Sequence, residues 1–247
     1  MAMNQLPYGW RGQLGLIYIA SAWSMEAEYA DMAPPGVTTH TTRVALSDDP
    51  TNFSLNDVCT VGEDAVKAAK LLAQAPLDAI AFGCTSGSFT NGVGYDQQLI
   101  RQMEALANGI PCTTTITAVL KALQAFNMRK IAIATPYEEA INNRAVNFFE
   151  DSGFSVENML GLGMANDYDI SHQSIETVYR LAKQADTKDA EAVFIACTGL
   201  TTVRVLEVLE ADLGKPVISA NQATFWHSLQ LAGIKADIRG FGSLFQL

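Results

Sequence analysis

Two cysteines are distinguished by what surrounds them. Cys84 closes the apolar run Ala79-Ile80-Ala81-Phe82-Gly83 and is followed by Thr85-Ser86-Gly87-Ser88, while Cys197 closes Ala192-Val193-Phe194-Ile195-Ala196 and is followed by Thr198-Gly199. A thiol can give or take a proton near neutral pH, and as thiolate it is a strong nucleophile. Two thiols on opposite faces of a planar carbon intermediate can remove a proton from one face and return one to the other, which is racemisation. Alternatively, one adds to a double bond while the other protonates it, which permits cis-trans isomerisation. A lone cysteine at a strand end is usually a small buried hydrophobe. Because the pattern occurs twice, Cys84 and Cys197 are expected to face each other in one site, and Cys59 and Cys112, which lack it, are expected to be structural.

The neighbours of these thiols suit a carboxylate. The hydroxyls of Thr85, Ser86 and Thr198, with backbone N–H groups of both tips at helix starts, can cradle an oxyanion. The same N–H groups are expected to lower the thiol pKa without help from histidine. Tyr137 stands at a third strand tip and can add a phenolic O–H, although a packed tyrosine fits the sequence equally well. His40, His172 and His227 fall away from the tips, so a Cys-His hydrolase is not favoured. Gly83-x-x-x-Gly87 and Gly92-x-Gly94 match neither a phosphate-binding loop nor a dinucleotide fingerprint, and no nucleotide, metal or other cofactor is implied.

The elements that must hold these residues follow from periodicity. Apolar, β-branched runs at residues 14–20, 37–46, 79–84, 112–115, 131–137, 156–162, 192–197 and 216–220 read as strands. Helical spacing appears over residues 61–75, opened by Gly62-Glu63-Asp64, and again over 95–108, 118–126, 138–152, 171–185, 201–213 and 223–232. Residues 26–35 read as a mixed polar stretch, and those between Cys84 and Gly94 as a Gly-rich loop. Alternation of this kind calls for an α/β protein with parallel sheets covered on both faces. The halves also echo each other in order: residues 14–20 match 131–136, and the Cys84 strand matches the Cys197 strand. Two similar lobes related by a pseudo-two-fold axis are expected. Residues 1–115 with 222–247 form one, containing Cys84, and 116–221 form the other, containing Cys197. Ligands of open parallel sheets sit beyond the carboxyl ends of strands, so the site is expected in the cleft between the lobes.

Composition narrows the function class. The 247 residues are 49% hydrophobic, enough to bury a sizeable core, and the formal charge of −10 argues against nucleic acid or an anionic membrane surface as a partner. Residues 1–13 lack an apolar export segment, and no run of spanning length occurs. Four well-separated cysteines without a Cys-x-x-Cys pair suit free thiols in the reduced cytoplasm. The sequence leaves oligomeric state open, a homodimer included.

With these residues in place, the chain resembles the aspartate/glutamate racemase superfamily, in the branch holding arylmalonate decarboxylases and maleate cis-trans isomerases. The resemblance runs from Gly15-Leu16-Ile17 to Phe241-Gly242-Ser243-Leu244-Phe245. Pro111-Cys112-Thr113-Thr114, Thr117-Ala118-Val119-Leu120, Ala134-Thr135-Pro136-Tyr137 and Pro216-Val217-Ile218-Ser219 carry it most specifically. It implies a two-lobed fold with a cofactor-free cleft, where Thr85, Ser86, Tyr137 and the backbone around Thr198 and Gly199 hold a carboxylate. Cys197 is then the proton donor to a planar enediolate. Decarboxylases have glycine where Cys84 stands, whereas racemases and maleate isomerases have cysteine. In the latter the residue matching Cys84 is implied to add to the alkene. Asn166 resembles their carboxylate-binding asparagine, while the asparagine they carry after the first strand is replaced by Ala20-Ser21-Ala22. The leading expectation is an isomerase or racemase of a small carboxylic acid. A decarboxylase using Cys197 alone is the alternative enzyme, and a non-catalytic carboxylate-binding protein the alternative of another class.

Overall fold

The computed structural model describes residues 7–49 and 51–247; residues 1–6, where the stretch inspected for an export segment begins, and Pro50 lie outside it. In chain order the elements are β1 (Gly12–Ile19), α1 (Ser24–Met32), β2 (Val37–Val44), α2 (Leu55–Leu72), β3 (Ala79–Gly83), α3 (Thr85–Phe89), α4 (Tyr95–Leu106), β4 (Cys112–Thr114) and α5 (Thr115–Ala125). The second half continues with β5 (Lys130–Tyr137), α6 (Glu139–Asp151), β6 (Ser155–Met164), α7 (Asp167–Ser171), α8 (Ile175–Ala185), β7 (Ala192–Ile195), α9 (Leu206–Leu213), β8 (Val217–Ser219) and α10 (Ala220–Leu231). Short 3-10 turns lie at Val203–Val205 and Ser243–Gln246.

The strands form two four-stranded sheets, ordered β2-β1-β3-β4 and β6-β5-β7-β8, with every pairing parallel. The second order repeats the first, so the expected two-part α/β architecture is present. Parallel strands need crossovers, and the helices that make them cover both faces, which is why β3 and β7 are buried throughout and read as unbroken apolar runs. Ile17 pairs with Phe82 and Ala134 with Ile195, so each cysteine tip emerges from the inner strands of its sheet. Helix α10 packs on α5, β3 and β4, on the first sheet, and also touches β8. Among the described residues no helix is long and apolar enough to cross a membrane.

Several boundaries depart from the sequence reading, each for a local reason. Helix α2 starts at Leu55 rather than at residue 61, because Ser54 and Asp57 form a reciprocal capping box. Gly62 is therefore mid-helix, and a Cβ there would come 2.4 Å from the Tyr95 hydroxyl, so the glycine lets α4 pack against α2. The mixed polar stretch contains α1, whose buried side includes Met25, Glu28, Tyr29 and Met32; an acid at an inward position hid the periodicity. The segment after Cys84 is helical rather than loop, as α3. The helix expected over 171–185 begins later, at Ile175, as α8 capped by Ser174, and the separate short helix α7 precedes it.

Candidate active site

Each thiol is set by the backbone at the end of an inner strand. Cys84 is the N-cap of α3, with extended φ −143° and ψ 112°, and its Sγ accepts a hydrogen bond from Gly87 N–H at 3.3 Å. Glycine is needed at 87: a Cβ would lie 2.9 Å from that sulfur and 2.7 Å from Val61 Cγ1. Cys197 stands two residues beyond β7 at φ +85°, a left-handed conformation that costs a residue with a Cβ. Its Sγ accepts from Gly199 N–H at 3.4 Å.

The two thiols line one enclosed pocket. Thr85 and Ser86 flank Cys84 there, and Tyr137, Thr198 and Gly199 accompany Cys197; Ile19, Ala22, Leu46 and Phe53 supply an apolar wall. The enclosed space is about 20 Å³, close to that of one water molecule. Thr85 Oγ1 is buried with no hydrogen-bond partner among the described residues. The Tyr137 hydroxyl lies beside Cys197 and Thr85, and burial pushes its pKa well above the usual phenol range. Asn166 is not in the lining. Its side chain caps α7, accepting from Asp169 N–H at 2.7 Å, and the neighbouring Asp167 lines the pocket instead.

The Cys197 tip is pinned from the first half of the chain. Thr198 Oγ1 donates to the Gly83 carbonyl at 3.1 Å, so this hydroxyl proton, expected to serve a ligand, is committed to joining the two cysteine tips. The buried Tyr18 hydroxyl donates to the Thr198 carbonyl at 3.0 Å and accepts from Met25 N–H, and Ser24 Oγ donates to the Gly199 carbonyl at 2.8 Å. Glu28, 3% exposed, accepts from the N–H groups of Thr202 and Val203, the Thr202 hydroxyl and the Asn221 amide.

Electrostatics overturns one expectation. Burial, helped by the Asp167 charge, pushes both Cys84 and Cys197 up to about 12; the Gly87 and Gly199 N–H groups lower them without reversing the outcome. Both are therefore protonated thiols near neutral pH. Cys59 and Cys112 are outside the lining, with Cys112 Sγ donating to the Ile110 carbonyl at 3.3 Å. The three histidines are also outside it; His172 stacks edge-on with Trp23, and His227 Nδ1 bonds Thr113 Oγ1 at 2.8 Å.

Sequence reasoning missed Asp167, Ser21, Tyr18 and Glu28 as parts of this site. Tyr18 is the single polar-tipped residue in the apolar run 14–20, which is its signal; the others carry none.

A family model described as arylmalonate decarboxylase matches residues 14–245. Arylmalonate decarboxylase of Bordetella bronchiseptica is 32% identical over 186 residues, covering 74% of this chain and 77% of that protein. A liganded arylmalonate decarboxylase carrying a glycine-to-cysteine and a cysteine-to-serine substitution superposes with a TM-score of 0.87 at 28% identity, over 95% of this chain and 98% of that one. A Nocardia farcinica maleate cis-trans isomerase mutant with a covalently bound succinylcysteine intermediate gives a TM-score of 0.87 at 20% identity, over 95% and 98%.

Proposed function

The chain belongs to the arylmalonate decarboxylase family, and within it we propose a cofactor-independent isomerase or racemase of a small carboxylic acid, using Cys84 and Cys197 together. The observation that carries this reading is that both thiols line one enclosed pocket beside a buried hydroxyl, that of Thr85, with no partner of its own. Thr85, Ser86 and Tyr137 are the donors assigned to the substrate carboxylate. Their hydrogen bonds strengthen as that carboxylate takes on enediolate charge.

In isomerisation, Cys84 as thiolate forms a C–S bond to one alkene carbon while the π electrons move into the adjacent carboxylate. The remaining C–C single bond turns, and re-formation of the double bond expels the thiolate. If Cys197 donates its proton to the carbanion carbon first, the product is a succinyl thioether when the substrate is maleate, the species named for the Nocardia enzyme. In racemisation, the thiolate on one face removes the α proton to give the enediolate and the opposite thiol returns one. Both routes require one thiol to be ionised, and its high pKa makes the resulting thiolate a strong base once formed.

A second reading follows from the family match itself: a malonate loses carbon dioxide and Cys197 alone protonates the enediolate. Decarboxylation generates its own carbanion and leaves Cys84 without a task. One NMR time course separates the readings, with maleate, an arylmalonate and, in D2O, an α-aryl propionate, lactate and alanine as substrates. Fumarate formation or deuterium at the α-carbon supports the two-thiol reading, and loss of carbon dioxide supports the decarboxylase. Inactivity on all of them would remove this substrate class.

A further inference from the structure

Asp167 is a buried acid on the pocket wall, and among the described residues no charge balances it. It is 9% exposed, stands in the first turn of α7, and shares the lining with both thiols. Ser21, just beyond β1, donates its hydroxyl to Oδ2 at 2.5 Å. Among the described residues the carboxyl makes no other side-chain hydrogen bond and no ion pair. Buried carboxylates are normally paired or multiply hydrogen-bonded, because a single neutral donor does not offset the lost hydration. Glu28 illustrates the satisfied case in the same molecule, with four donors around it.

The geometry points to Asp167 as a specificity-determining residue that, backed by Ser21, accepts a hydrogen bond from a hydroxyl or ammonium on the substrate and excludes a second carboxylate. This deepens and rests on the racemase route of the proposed reading, in which Thr85, Ser86 and Tyr137 hold the substrate carboxylate, and it sets maleate aside as the substrate. Thr85, Ser86 and Tyr137 present hydroxyls to the pocket, whereas Asp167 presents an acceptor, so the lining calls for a ligand with both an acceptor and a donor. Burial already raises the Asp167 pKa, the mark of a charge held at a cost, and a dicarboxylate would set a second like charge beside it in a nearly water-free space, where the two repel far more strongly than in bulk water. A small monocarboxylate carrying its own donor supplies what Asp167 lacks.

The test uses size-matched acids and reads occupancy directly. Iodoacetamide labelling of Cys84 and Cys197 is followed by mass spectrometry in the presence of lactate, alanine, propionate or malonate, and the concentration giving half-protection is compared, since Asp167 also affects the labelling rate itself. Wild type is expected to be half-protected by lactate or alanine at about tenfold lower concentration than by propionate, with malonate the weakest. Whether lactate or alanine leads tells a hydroxyl from an ammonium. In Asp167→Asn the advantage of the donor is expected to fall to about threefold or less while malonate improves about tenfold. Ser21→Ala moves the ranking the same way by a smaller factor. Equal protection by all acids in wild type, malonate as the best protector, or an unchanged ranking in both variants would overturn the role of Asp167 while leaving the carboxylate site standing. No protection by any acid would overturn the site reading itself, and this inference with it.

Discussion

Thr198 donates its hydroxyl to the Gly83 carbonyl at 3.1 Å, joining the residue after one cysteine to the residue before the other. Thr85, which follows Cys84 as Thr198 follows Cys197, makes no such bond, and its Oγ1 is buried without a partner among the described residues. The repeat is therefore broken where it meets the pocket: one threonine ties the tips together and the other keeps its hydroxyl free.

That difference gives opposite expectations for the same substitution. Thr85→Val removes a donor that meets only substrate, so kcat/KM on the substrate identified by the NMR panel should fall by roughly a hundredfold or more. Stability should hold or rise, since an unpartnered buried hydroxyl is lost. Thr198→Val takes a donor from the Gly83 carbonyl and should lose about 1 kcal/mol in denaturant unfolding. Similar loss of activity and stability in both variants would contradict the division of roles.

The thiols should titrate late. With both pushed up to about 12 by burial, labelling by iodoacetamide in the folded, ligand-free protein should rise about tenfold per pH unit from pH 7 to 10 without levelling off. The urea-unfolded chain should level off near the ordinary thiol value, about 8.5. The stability sign follows: the folded pKa lies above the unfolded one, so the contribution is fully present below about pH 8.5 and is lost as pH climbs toward the folded value. A plateau near pH 8 in the folded protein would mean that the Gly87 and Gly199 N–H groups outweigh burial after all.

Glu28 offers a stability test away from the pocket lining. Its carboxylate gathers donors from Thr202, Val203 and Asn221 behind the Cys197 tip. In Glu28→Gln the new amide can be met by Asn221 Oδ1, which has no partner among the described residues, so the loss should be limited to about 1 kcal/mol. Glu28→Ala strands several buried donors and should cost about 3 kcal/mol or more. Equal losses on urea unfolding would show that the charge, rather than the hydrogen-bond geometry, matters.

What the sequence displayed and what it hid divide along contact range. Strands β3 and β7 are apolar without interruption because both faces are covered, so their ends, and Cys84 and Cys197 on them, were legible from local pattern. Tyr137 was legible for the same reason, as the tip of β5. Glu28 and Tyr18 act on Thr202 and Thr198, more than 170 positions away, and nothing in their neighbours announces that contact. The pocket side of the 166–167 pair was decided by capping: Asn166 turns to close the start of α7, which leaves Asp167 on the wall.

The backbone at Cys197 is itself testable. A residue with a Cβ at φ +85° is strained, and glycine relieves that strain, so Cys197→Gly should be more stable than Cys197→Ala by about 1 kcal/mol although it packs less. A control swap at Ala134, buried within β5 with no positive φ, should go the other way, Ala134→Gly losing about 1 kcal/mol. The comparison matters for mechanism because the strained turn aims the Cys197 sulfur into the pocket lining it shares with Cys84. If Cys197→Ala proves the more stable variant, the tip is not held under strain, and the hydrogen bonds from Thr198, Tyr18 and Ser24 alone fix the position of the thiol.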